Sequence, residues 1–152
     1  MHKHYGHRFR VLHCCTDQIM TEALAQMDLT SSQGRIVGYL ARQSQPPCCR
    51  DIEDAFHLSH PTVSGILSRL EKKGFLAFQP DPSDHRCKRV VLLPKGLQCH
   101  QQIVLTIDRI EHQIVQDFTP EEQEQFFNLL DRAIRNMGCG SFQPTIKEEP
   151  QT

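Results

Sequence analysis

HLSHPTVSGILSRLEKKGFL, residues 57–76 of the 152-residue chain, is the stretch on which the reading of the fold turns. Ser59 stands where a helix cap is wanted, and Pro61 falls in the first turn, where a missing N–H costs nothing. Val63, Ile66, Leu67 and Leu70 recur at helical spacing and predict an inward face. Lys72 and Lys73 give a basic last turn, and Gly74 follows as a residue free to take positive φ. Upstream, a short helix is predicted from Arg50 to Phe56, with Ile52, Ala55 and Phe56 apolar. Two short helices joined by a tight polar turn, the second exposing small hydroxyls and basic groups, match a helix-turn-helix.

Immediately downstream lies PDPSDHRCKRVVLLPKG, residues 80–96. Leu76–Phe78 and Arg89–Leu93 read as strands, separated by the ten residues Gln79 to Lys88. That connection is longer than a tight hairpin needs, and Pro80 and Pro82 have no N–H to give a ladder. A helix-turn-helix followed by such a hairpin is a winged helix, and residues 80–96 are then its wing.

Helices flank this lobe on both sides. Arg8 to Met27 predicts a helix with Leu12, Cys15 or Thr16, Ile19, Ala23 and Met27 on one side. Thr30 and Gln33 form a capping box for a second helix, which turns Ile36, Val37, Leu40 and Ala41 inward and ends near Ser44. Beyond the wing, Ile103, Ile107, Ile110, Ile114 and Phe118 line one long helix. Thr119-Pro120-Glu121-Glu122 opens another that carries Phe126, Leu130, Ala133 and Met137. The expected fold is mainly α (α+β): a winged helix-turn-helix with a two-stranded β-wing, plus N- and C-terminal dimerisation helices. Its parts are an N-terminal helix in 1–30, a DNA-binding lobe in 31–96, long C-terminal helices in 97–137 and a flexible tail in 138–152.

The formal net charge of −1 hides a local asymmetry. Ser59 to Gly96 carries seven basic residues against three acidic, whereas Asp108 to the end carries four against nine. A basic lobe of this kind suits an anionic partner. The apolar runs are too short to cross a bilayer, and the N-terminus lacks a signal peptide's apolar stretch, so a cytoplasmic protein with no membrane partner is expected. Seven cysteines, an odd number including the pairs Cys14-Cys15 and Cys48-Cys49, then read as thiols. Nine histidines include no H-x-x-x-H pair and the cysteines no C-x-x-C pair, so no metal site and no cofactor are expected. No Gly-rich phosphate loop or nucleophile elbow points to an enzyme.

A recognition helix enters the major groove with its N-terminal residues toward base edges. Here those are Ser59, His60, Thr62, Ser64 and Gly65, with Arg69 and Lys73 placed for phosphates. At the wing, Arg86 suits a narrow minor groove, and Lys88 and Arg89 suit the backbone, one of the two pointing back toward the sheet. Cys87 lies beside Arg86, where its oxidation would disturb binding.

From Arg8 to Met137 the chain resembles the MarR (multiple antibiotic resistance regulator) family of transcriptional regulators. DHRCKRVVLLPKG is similar to that family's wing signature, and LSHPTVSGILSRLEKKGFL to its recognition helix. The resemblance implies that Asp84 steadies the wing through an arginine and that Arg86 reaches the minor groove. It implies a homodimer on a palindromic double-stranded operator, acting as a repressor released by a small-molecule or oxidant effector. Candidate effector residues are His13, Cys14, Cys15 and Tyr39. Leu93 replaces the family's usual threonine cap, predicting a frayed start to the next helix. Alternative readings are a protein-binding winged-helix adaptor and a thiol- or metal-sensing variant of the regulator.

Overall fold

Six helices and one two-stranded sheet follow one another in residues 4–82 and 87–138, the part of the chain that this computed structural model describes. They are α1 (Tyr5–Gln26), α2 (Ser31–Ala41), α3 (Cys49–Phe56), α4 (His60–Lys72), β1 (Leu76–Pro80), β2 (Lys88–Leu92), α5 (Pro94–Ile114) and α6 (Pro120–Asn136). Packing divides the chain into two units, the first running through Ile110 and the second beginning at Glu111, inside α5. Among the described residues no helix is long and apolar enough to cross a membrane.

In the first unit, the predicted faces of α2 and α4 meet in one core. Ile36, Val37, Leu67 and Leu70 are buried there with Val63, Ile52, Phe75, Leu76 and Val90, and Ile66 is half-buried at the edge. The capping box at the start of α2 forms in both directions: the Thr30 Oγ1 accepts from the Gln33 N–H, and the Gln33 side chain accepts from the Thr30 N–H. At α3 the Asp51 carboxylate accepts from the Cys48 N–H at 2.8 Å, so this helix starts one residue before the predicted Arg50. His57 turns the chain by adopting φ 52°, and Gly74 ends α4 at φ 76°.

β1 and β2 pair antiparallel from Leu76 opposite Leu92 to Pro80 opposite Lys88. Pro80 therefore closes the ladder, beyond the Phe78 end expected from its missing N–H; the last position of a hairpin does not require that donor. The other edge of β2 is covered too, by a bridge between Cys48 and Arg89 and by the Val90 N–H donating to the Pro47 carbonyl at 2.8 Å. That pairing ties the wing to the α2–α3 connection and has no signature in either segment alone.

α5 begins at Pro94, directly after Leu93, whose N–H donates to the Phe75 carbonyl at 2.9 Å. Proline at the first helical position needs no N–H partner, which offsets the missing threonine cap. In the second unit, the Thr119–Glu122 capping box opens α6, and Phe118 meets Phe126 edge to face at 5.5 Å. The tail expected from residue 138 lies, apart from Gly138, outside the described residues.

Candidate nucleic-acid interface

The core fixes which side of α4 faces outward. Val63, Leu67 and Leu70 are each 0% exposed, so the opposite stripe of Pro61, Ser64, Gly65, Ser68, Arg69 and Lys72 looks away from the lobe. Ser64, Arg69 and Lys72 are exposed, and an added side-chain carbon at Gly65 would meet nothing within 4 Å. The N-terminus of α4 adds uncompensated N–H groups and the positive end of the helix dipole.

Ser59 occupies the cap position, but its hydroxyl does not bond the backbone; it meets the Thr62 Oγ1 at 2.9 Å. The expected cap hydrogen bond is thus replaced by a hydroxyl pair at the exposed tip of the helix. His60 is drawn toward α3, its Nδ1 2.6 Å from the Glu53 Oε1.

Lys73 corrects the expected phosphate pair. Its Nζ turns back to the α1–α2 turn, 3.2 Å from the Asp28 carboxylate and within hydrogen-bond distance of the Asp28 carbonyl. Rotation of about 100° per residue places Lys72, not Lys73, near the middle of the outward stripe. Sequence reasoning missed Lys72, although the helical wheel centred on Val63, Leu67 and Leu70 carries that signal.

The same sorting applies on the wing. Lys88 is exposed, whereas Arg89 points inward: its Nε donates to the Asp81 carboxylate at 2.5 Å and its Nη1 to the Pro46 carbonyl at 3.1 Å. The hydrogen bond to Asp81 holds the Arg89 guanidinium above its ordinary range, as a permanent cation. Asp81 is 4% exposed, and its N–H donates to the Cys87 carbonyl across the mouth of the hairpin. Lys95 is likewise committed, donating to the Lys73 carbonyl at 2.8 Å and lying over the Phe75 ring. The seven basic residues counted in the sequence therefore include three structural ones. Asp84 and Arg86 lie outside the described residues.

The proposed effector residues separate. His13, Cys14 and Cys15 are exposed along α1, and Tyr39 packs edge to face on Phe56 at 5.4 Å. Burial pushes the Tyr39 hydroxyl up, and the thiols of Cys49 and Cys99 as well. α1 keeps Leu12 and Cys15 of its predicted seam exposed, together with Tyr5, Phe9 and Val11.

A helix with one face locked in a core and a polar, basic outer face, followed by a hairpin braced to the same lobe, defines a winged helix-turn-helix. Comparison with known proteins gives the same class. Residues 27–86 match the MarR family. The chain is 29% identical over 109 residues to the uncharacterized HTH-type transcriptional regulator YwoH of Bacillus subtilis, covering 72% of this chain and 78% of that one. It is 29% identical over 107 residues to the homoprotocatechuate degradative operon repressor of Escherichia coli, covering 70% and 72%. The MepR–DNA complex of Staphylococcus aureus superposes with a TM-score of 0.77 at 29% identity, over 88% of this chain and 99% of that one. Over most of its length the chain is thus similar to transcriptional regulators of the MarR family.

Proposed function

We propose that the protein is a cytoplasmic, homodimeric repressor that binds a palindromic operator and is released by a small-molecule or oxidant effector. The observation that carries DNA reading is the outward stripe of α4, with Ser64, Gly65, Arg69 and Lys72, beside Lys88 on a wing braced by Asp81 and Arg89. Ser59, Thr62 and Ser64 supply hydroxyls for bases or register, Arg69, Lys72 and Lys88 meet phosphates, and Arg86 enters the minor groove from a wing that Asp84 steadies through an arginine. The repressor named in Escherichia coli and the DNA-bound MepR support this reading.

Titration with duplex DNA tests it. Affinity should fall steeply with salt, because each neutralised phosphate releases counterions. Arg86→Ala should weaken operator binding by about 1–3 kcal/mol. Salt-independent binding, or an unchanged affinity in the variant, would sink the wing's role and favour a protein-binding adaptor.

Apolar exposure supports the dimer. α6 buries none of its residues and leaves Phe127, Leu129 and Ile134 exposed, with Met137 just beyond its end, while α1 leaves Tyr5, Phe9, Val11 and Leu12. Patches of this kind mark association surfaces, and a two-fold dimer sets recognition helices roughly 34–36 Å apart. Sedimentation equilibrium should give twice the mass of the chain; a monomer at micromolar concentration would exclude the dimer. His13, Cys14, Cys15 and Tyr39 remain the groups we assign to effector sensing, Cys14 and Cys15 being the exposed thiols among the described residues.

A further inference from the structure

His60 is the first residue of α4, with its side chain 70% exposed, yet one ring nitrogen is already taken. The turn that joins α3 to α4 explains how. His57 adopts φ 52°, and the Leu58 N–H folds back to the Glu53 carbonyl at 3.1 Å. The chain thereby brings His60 over Glu53, whose side chain is only 20% exposed, and the Nδ1–Oε1 distance is 2.6 Å. An ionised carboxylate can only accept, so Nδ1 must carry the proton. In a neutral imidazole Nε2 then holds the lone pair.

We infer that Glu53 is a positioning residue that sets the tautomer of His60, and that His60 Nε2 is a specificity determinant accepting a hydrogen bond from the exocyclic amine of a cytosine or adenine in the major groove. This rests on the reading of α4 as the helix that enters that groove. The groove edge offers amine donors at cytosine N4 and adenine N6, whereas guanine O6 and thymine O4 are acceptors. A lone pair facing either acceptor makes no hydrogen bond and is repelled.

Selection of duplexes from a randomised pool by the full-length protein, at about pH 8 where imidazole is ordinarily neutral, tests the inference together with nitrogen-15 spectra of the histidine rings. The wild-type spectrum should show His60, identified by its loss in His60→Ala, protonated at Nδ1. Glu53→Ala should move that proton to Nε2. The wild-type motif should hold one position per half-site that favours cytosine or adenine by roughly five- to tenfold, the worth of one hydrogen bond. Both variants should lose that preference while keeping the rest of the motif, with an unchanged circular dichroism spectrum reporting an intact fold. An unchanged motif in His60→Ala or Glu53→Ala, or a uniform loss across all sequences, would overturn the inference and leave DNA binding standing. A wild-type protein that enriches no duplex would overturn the DNA reading and this inference with it.

Discussion

Leu67→Ala is expected to cost the lobe about 2–5 kcal/mol, the range for truncating a buried leucine whose surroundings cannot collapse. Leu67 is 0% exposed and sits in the core with Ile36, Val37, Ile52 and Val63. α4 packs there against α2, α3 and β1, so the cavity would open at the junction of all four elements. Typical domains have only about 5–15 kcal/mol in total, so the loss removes a large share of it. Urea denaturation should show a lower midpoint at unchanged slope, as for a change in stability alone. Duplex binding should fall with the folded fraction, because the outer face of α4 is held in place only by its inner one. Leu97→Ala is the control: that side chain is 49% exposed, and its removal should stay within about 0.5 kcal/mol. A Leu67 variant as stable as the control, compared at one protein concentration, would refute the assignment of this core.

Gly96→Ala should destabilise the protein by about 1–3 kcal/mol, the usual cost of overpacking. Two effects compete. Alanine is the better helix former by roughly 1 kcal/mol. Against that, the new Cβ would lie 2.3 Å from the Phe75 carbonyl oxygen and 2.8 Å from Leu92 Cδ2. Leu92 can turn aside, but the Phe75 carbonyl is backbone at a residue 1% exposed, and it already accepts the Leu93 N–H. The clash therefore wins, and thermal unfolding should drop in temperature. Gly65→Ala isolates the propensity term, since nothing lies within 4 Å of its added carbon. It should stabilise the free protein by about 0.5–1 kcal/mol. If the bare backbone at Gly65 lies against a base pair, that same variant should bind operator more weakly while binding random duplex equally well.

Helix starts were legible because their signals are local. Thr30 with Gln33, and Thr119 with Glu122, satisfy exposed N–H groups within one turn, and both boxes form. The inner face of α4 was legible because apolar spacing over thirteen residues leaves one choice of side. Ser59 shows the limit of such rules: the cap position was right, but the hydroxyl found Thr62 instead of the backbone.

The roles of the basic residues were not legible in the same way. Lys73 meets Asp28 across 45 positions, and Arg89 meets the Pro46 carbonyl across 43. In the sequence each is one more positive charge beside the proposed interface, and nothing local separates Lys73 from Lys72. The brace on the outer edge of β2 is of the same kind, since Cys48 carries no mark of pairing with Arg89.

By itself, then, the sequence determined the order of elements, the helix-turn-helix and the wing, because capping, periodicity and turn chemistry act within a few residues. Tertiary structure alone decided which cations stay available to a ligand, how His60 is oriented by Glu53, and why Gly96 must be glycine. Each of those depends on a partner brought near by the packing of other elements, and a side chain's charge or size carries no record of the neighbour that will claim it.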